Sequence, residues 1–177
     1  ITHYHHEALD YSQELLDSFG SDFYNPEVVK KCPQYVQNEI KYLETVAKYA
    51  KTTPIKNGVY KIVSAMDENK VLDIKNSSKD NRANVQIGEN NYSDSQKFVV
   101  KANEHGSYTL TSLSSGKNVD VAGFNKKPGE NIWQYEKSNC SAQKWYICPC
   151  GDGTFRIIAQ CNLLAMDVQG GNAKDGA

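Results

Sequence analysis

Three aspartates recur at one interval. Asp73, Asp120 and Asp167 stand 47 residues apart, and Gln96 and Gln143 keep the same spacing, as do Asn84 and Asn131. A carboxylate accepts hydrogen bonds from two neighbouring donors at once, and a carboxamide both donates and accepts. Such groups, held by turns, either read the polar groups of a bound molecule or cap the turns in which they stand. The residues alone leave both open. The other reactive residues point to less. The opening His3-Tyr4-His5-His6-Glu7 invites a metal or peptidase reading, but Asp10 stands where H-E-x-x-H requires histidine. No third ligand accompanies His3 and His6, so these histidines are expected to be solvated near a chain end. Cys32 stands alone, while Cys140, Cys148, Cys150 and Cys161 cluster. A disulfide among those four would fit a secreted chain. Cys148-Pro149-Cys150 has C-x-C spacing rather than the C-x-x-C of common zinc sites, with no histidine near, so no metal is expected. No catalytic triad, carboxylate pair or nucleophile motif is identifiable. The chain is therefore expected to be non-catalytic, with no cofactor.

Charge and composition exclude further classes. Lys and Arg number 20 against 21 Asp and Glu, for a net charge of -1. That balance gives no electrostatic footprint for nucleic acid or an anionic membrane. No apolar run of about eighteen residues exists, so no membrane insertion is expected. The chain opens on Ile1 and shows no signal peptide, which fits a processed or excised piece.

The elements that must position the recurrent residues divide into two regions. In residues 1–53, Tyr4, Ala8, Tyr11, Leu15 and Phe19 lie along one helix face, with Gly20 as a stop. Asn25-Pro26 reads as a helix start. Pro33 should break that helix, so a second one is expected from about Gln34 to about Lys51. Its stripe is Val36, Ile40, Leu43, Ala47 and Ala50, with Tyr35, Tyr42 and Tyr49 beside it. This region reads as a helical hairpin or linker, or as the tail of an upstream domain. After Thr52-Thr53-Pro54 the period changes. Val59–Val63, Val71–Ile74, Phe98–Val100, Tyr108–Ser112 and Asn118–Val121 are short β-rich runs. Turn signals separate them at Asp67-Glu68-Asn69, Ser115-Gly116, Pro128-Gly129 and Gly151-Asp152-Gly153. Such spacing implies a sandwich or barrel.

The runs repeat. Gly58-Val59-Tyr60, Leu72-Asp73-Ile74, Asn84-Val85-Gln86 and Gln96-Lys97-Phe98 form a first copy. Gly106-Ser107-Tyr108, Val119-Asp120-Val121, Asn131-Ile132-Trp133 and Gln143-Lys144-Trp145 form a second. Gly153-Thr154-Phe155 and Met166-Asp167-Val168 begin a third, with Gly170-Gly171-Asn172 after them. Units of this length bury a core only together. In register, these motifs resemble the ricin-type β-trefoil lectin family, also known as family 13 carbohydrate-binding modules, across residues 55–177. The resemblance implies a mainly β chain, a β-trefoil of three repeats of about 47 residues (58–105, 106–152 and 153–177) behind the α-helical N-terminal segment. The third repeat is expected to be incomplete at Ala177, to be finished by further residues or by a second chain.

The resemblance also implies roles. An aspartate accepts from adjacent sugar hydroxyls, a ring covers the sugar's C–H patch, and an amide serves a remaining hydroxyl. Carried onto the second repeat, these are Asp120, Tyr135 and Gln143. Ala142 stands where the family often has asparagine, and Asn139 is a substitute. Trp133 would widen the stacking surface. The first repeat offers Asp73, Gln86 and Gln96, but Gly88 holds the ring position and Tyr92 is the aromatic nearby, so that site is expected to be weak. The third offers Asp167. The implied function is a carbohydrate-binding module for galactose-type sugars or polysaccharide, extracellular and attached to a secreted enzyme or toxin. The alternatives are a trefoil protein-interaction module whose sugar sites have decayed and the C-terminal part of a secreted hydrolase.

Overall fold

The computed structural model describes residues 30–31, 33–49, 54–124 and 127–177. The helical pattern over residues 4–19, the Asn25-Pro26 start and Cys32 lie outside the described residues. The chain divides into two compact units, 1–48 and 49–177. Helix α1 spans Gln34–Tyr49. It starts at Pro33, whose carbonyl accepts from the N–H groups of Val36 (3.0 Å) and Gln37 (3.2 Å). Proline suits that place because it has no N–H to lose and its φ is already helical. Val36 is buried and Tyr35 exposed.

The rest is strand. The described residues form β1 (Gly58–Tyr60), β2 (Val63–Ser64), β3 (Asp67–Ile74), β4 (Val85–Glu89), β5 (Phe98–Ala102), β6 (Tyr108–Ser112), β7 (Asn118–Val121), β8 (Ile132–Tyr135), β9 (Trp145–Pro149) and β10 (Phe155–Ala159). The run expected over Val59–Val63 is broken into β1 and β2. The turn expected at Asp67-Glu68-Asn69 falls instead at Ala65-Met66. Ser64 pairs with Asp67, which draws the turn forward, while the Asp67 carboxylate accepts the Asn69 N–H at 2.9 Å within β3.

Pairing is antiparallel throughout. β1, β5, β6, β9 and β10 are joined in that order, and β3–β4 and β7–β8 form hairpins. Alternate side chains of β6 turn inward: Tyr108, Leu110 and Ser112 are buried, with Thr109 and Thr111 between them less so. One core gathers Leu72, Ile74, Phe98, Val100, Leu110, Val119, Val121 and Ile147 around Tyr108 and Trp145. Met166 packs against it half-buried, and Val168 is also only partly covered. Tyr60 and Phe155 hold the place of Tyr108 in the flanking repeats, yet are 36% and 47% exposed against 0% for Tyr108. β6 has a strand on each side, whereas among the described residues β1 pairs with β5 alone and β10, along its length, with β9.

The sequence repeat is a structural repeat. After each Asp-x motif the chain turns through two left-handed residues: Asn76-Ser77, Gly123-Phe124 and Gly170-Gly171. Neighbouring repeats are tied by backbone. Arg82 donates its N–H to the Gln134 carbonyl (2.8 Å) and Ala83 accepts the Gln134 N–H (2.9 Å). The same pair of bonds recurs where Gly176 donates to the Ile87 carbonyl (2.9 Å) and Ala177 accepts from the Ile87 N–H (2.8 Å). The buried Gln134 side chain adds to the first tie, donating to the carbonyls of Ser78 (2.8 Å) and Asp80 (2.9 Å) and accepting from the Ser115 hydroxyl (2.6 Å).

No disulfide joins any two of the four clustered cysteines, which settles a crosslink the sequence had left open. Their environments differ: Cys148 is buried in β9, and Cys150, just past its end, is exposed. Burial pushes the Cys148 thiol up to about 11, and the neighbouring Cys150 adds to the rise. Iodoacetamide at pH 8 should therefore label Cys150 in the native protein and Cys148 only after denaturation, read by peptide mass mapping, because the thiolate is the nucleophile. The raised value also gives a sign. The stabilising share of Cys148 is complete below its ordinary 9.0 and is lost as pH rises towards about 11. Replacing Trp145, fully buried with its indole N–H on the Val119 carbonyl at 3.1 Å, by alanine should cost about 3–5 kcal/mol in urea unfolding.

Candidate functional site

The second repeat brings its recurrent residues together. β7 and β8 pair so that Asp120 faces Trp133 across the hairpin. Side chains two apart on a strand share a face, so Trp133 and Tyr135 lie on the same side of β8. Their rings stack with centroids 6.1 Å apart and planes at 30°. The Trp133 indole N–H donates to Asp120 Oδ1 at 2.7 Å. Acid and aromatic pair are thus one unit.

The second oxygen of Asp120 is held from below. Gln143 Nε2 donates to Asp120 Oδ2 at 2.9 Å and to the Glu136 carbonyl at 2.8 Å. Its Oε1 accepts from Asn118 Nδ2 and from the Ser138 N–H, both at 2.9 Å. Gln143 is 1% exposed and every donor and acceptor of its amide is used inside the protein. The amide that the resemblance assigned to a sugar hydroxyl is here a bracket that aims the acid. Asp120 is 8% exposed, and each of its oxygens takes one side-chain donor, which leaves each a lone pair beyond that bond.

An open cleft of about 460 Å³ lies over this unit, with Asp120, Trp133, Tyr135, Phe124 and Arg82 among its walls and Lys137, Ser138 and Cys140 along one side. Asn139 is exposed on the loop between the last two. A smaller cavity of about 50 Å³ among Val121, Trp145, Ala159 and Met166 is too small for a sugar ring. Phe124 and Arg82 were not singled out from the sequence. Phe124 sits 49% exposed in the left-handed turn after Val121, where the other repeats have Ser77 and Gly171. Arg82 comes from the first repeat and reaches the cleft only through the backbone tie to Gln134. A signal for Phe124 existed: it is a large apolar residue at a position the repeat otherwise keeps small.

The first repeat keeps the acid without its surroundings. Asp73 is held by the Ser95 hydroxyl at 2.8 Å. Gln96 is fully buried and brackets its loop through the Asn91 N–H (2.9 Å) and Glu89 carbonyl (2.8 Å). Gln86 replaces Trp133, Ser77 replaces Phe124, and Gly88 replaces Tyr135. A Cβ at Gly88 would come within 3.2 Å of Asp73 Oδ2, so the acid occupies part of the space a ring would need. Tyr92 is 68% exposed and lies under the Lys61 ammonium at 4.5 Å. Asp167 is exposed, its Oδ1 accepting the Val168 N–H at 2.9 Å.

Among known proteins, a family model described as ricin-type beta-trefoil lectin domain-like matches residues 94–177. A designed threefold-symmetric protein, ThreeFoil, is 32% identical with a TM-score of 0.66, over 68% of this chain and 86% of that one. An exo-beta-1,3-galactanase from Clostridium thermocellum is 28% identical with a TM-score of 0.65, over 71% of this chain. This chain spans only 27% of the galactanase. The Rhizoctonia solani agglutinin, 21% identical with a TM-score of 0.61 over 70% and 84% of the two chains, shares the fold. None of the curated proteins compared matches.

If Gln143 is a bracket, its loss should be felt without any ligand. Gln143→Leu strands the Asn118 amide and the Glu136 carbonyl, and should lower stability by roughly 2–4 kcal/mol in urea unfolding.

Proposed function

The chain belongs to the ricin-type β-trefoil lectin domain-like family, and on that premise we propose that it is a non-catalytic module for galactose-type sugars whose working site is the second-repeat cleft. The lectin-like fold itself implies carbohydrate binding. One observation carries the choice of site: the carboxylate of Asp120 is locked to Trp133, and Trp133 is stacked on Tyr135. A galactose-type sugar has two neighbouring hydroxyls on one edge and a continuous C–H patch on one face. The two oxygens of Asp120 take the hydroxyls, and the Tyr135 and Trp133 rings cover the patch. Gln143 contributes by fixing Asp120, with the exposed Asn139 beside the cleft as a further polar contact. Asp73, with Gln86 and Gln96, stands without a ring at the matching position, which Gly88 holds, so the first repeat contributes little. The galactanase relative, of which this chain spans 27%, supports a galactose-class ligand and a module carried by a larger enzyme. On this reading the chain acts outside the cell and concentrates its attached partner on polysaccharide.

A single shallow site of this kind should bind at millimolar to micromolar Kd, about -4 to -8 kcal/mol. Calorimetric titration with methyl β-galactoside or a β-1,3-linked galactose disaccharide should show binding that Asp120→Ala combined with Tyr135→Ala abolishes. Unchanged binding in that variant, with an unchanged circular dichroism spectrum, would remove the second-repeat site from the account.

A further inference from the structure

The sugar cleft holds a cation that its threefold equivalents lack. Arg82, Gly129 and Gly176 occupy the same position of the three repeats, 47 residues apart, and all have left-handed backbone, at φ 67, 84 and 87. Two repeats use the residue that takes this conformation without penalty; the one that reaches the second-repeat cleft uses arginine. A non-glycine residue there carries strain that persists only when the surroundings enforce it, and such strain gathers at ligand-binding positions. The enforcing contacts are present. The Arg82 N–H is bonded to the Gln134 carbonyl, and the next residue accepts from Gln134. The guanidinium lies 5.8 Å over the ring of Trp133, the same ring that donates to Asp120. Arg82 forms no ion pair among the described residues, and Lys137, also at the cleft, forms none. The acids nearby are engaged: Asp120 by Trp133 and Gln143, and Glu136 by the Asn81 amide at 3.1 Å.

We propose that Arg82, stacked on Trp133, is a specificity-determining residue that binds an oxyanion on the saccharide, so that the cleft prefers an acidic sugar, uronate or sulfated, over its neutral counterpart. This rests on the second-repeat cleft being the sugar site. A guanidinium over an aromatic ring is pre-oriented, and its two parallel N–H groups match a carboxylate or sulfate. Asp120 keeps its charge, so the oxyanion is placed on the Arg82 side of the ring, where the guanidinium and not the carboxylate faces it.

The test uses three probes in calorimetric titration: a neutral galactose disaccharide, the same disaccharide with one unit oxidised to the uronate, and the same with one primary hydroxyl sulfated. The wild-type protein should bind at least one acidic form about tenfold more tightly than the neutral one, and 0.5 M NaCl should erode that preference. Arg82→Gln should abolish the preference while leaving the neutral affinity within about twofold. Arg82→Gly, which installs the residue of the other repeats, should do the same without loss of thermal stability, so a folding defect is separated from a lost contact. Whichever acidic probe is preferred identifies the oxyanion. Equal binding of all three probes, or an Arg82→Gln variant that weakens neutral and acidic forms alike, overturns this inference and leaves the sugar site standing. No binding of any probe overturns both.

Discussion

A buried carboxamide must have all its hydrogen bonds met, and Gln143 meets its four by reaching in three directions: to Asn118 on β7, to the loop at Glu136 and Ser138, and to the carboxylate of Asp120. Leaving any of these groups unpaired in the interior would cost more than the bond itself is worth. The loop from Glu136 to Gln143 is therefore not free to take another path, and neither is Asp120. A carboxylate that is nine-tenths buried would be an unfavourable resident if its oxygens were not both held. Because they are held, it can wait with one face open. The polar site is the outer end of the same network that fixes the inner turn.

A second constraint acts between repeats. Two loops, at Arg82-Ala83 and at Gly176-Ala177, each donate to and accept from the backbone of a hairpin in another repeat, at Gln134 and at Ile87. Around Gln134 this tie is reinforced by the fully buried side chain, which gathers the carbonyls of Ser78 and Asp80 and the hydroxyl of Ser115. The tie exists for the fold, yet it places a first-repeat residue beside a second-repeat acid. The asymmetry of the molecule arises from such placements. Backbone geometry is shared by the three units down to the left-handed turns, while the residues standing on it differ: Tyr135 against Gly88, Phe124 against Ser77 and Gly171, Arg82 against Gly129 and Gly176.

Much of this was legible before any coordinates. The interval of 47 residues, the short β-rich runs and the turn signals between them gave a mainly β architecture after Pro54. The helix beginning after Pro33 was legible for the same reason, a residue that can start but not continue a helix. Misreadings came where local chemistry and pairing disagree. Asp67-Glu68-Asn69 has the composition of a turn, but Ser64 pairs with Asp67, so the turn moved to Ala65-Met66. The cysteine cluster had the look of a crosslink, but clustering in sequence says nothing about which sulfur points into the core, and Cys148 does while Cys150 does not.

What the sequence determined by itself was therefore what depends on periodicity: a mainly β chain after Pro54, five of its β-rich runs, and the recurrence of Asp73, Asp120 and Asp167. What only the tertiary structure decided was the direction of side chains and the meeting of residues from different repeats. Gln143 turned out to be a bracket because its four partners surround it in space, not in sequence. Trp133 became the link between acid and ring because β7 and β8 pair in one register and no other. Arg82 entered the cleft because a hydrogen-bonded tie spans two repeats. Periodicity is a property of one chain read along its length. Burial, orientation and electrostatic company are properties of the neighbours that folding brings, and those neighbours are far apart in the line of residues.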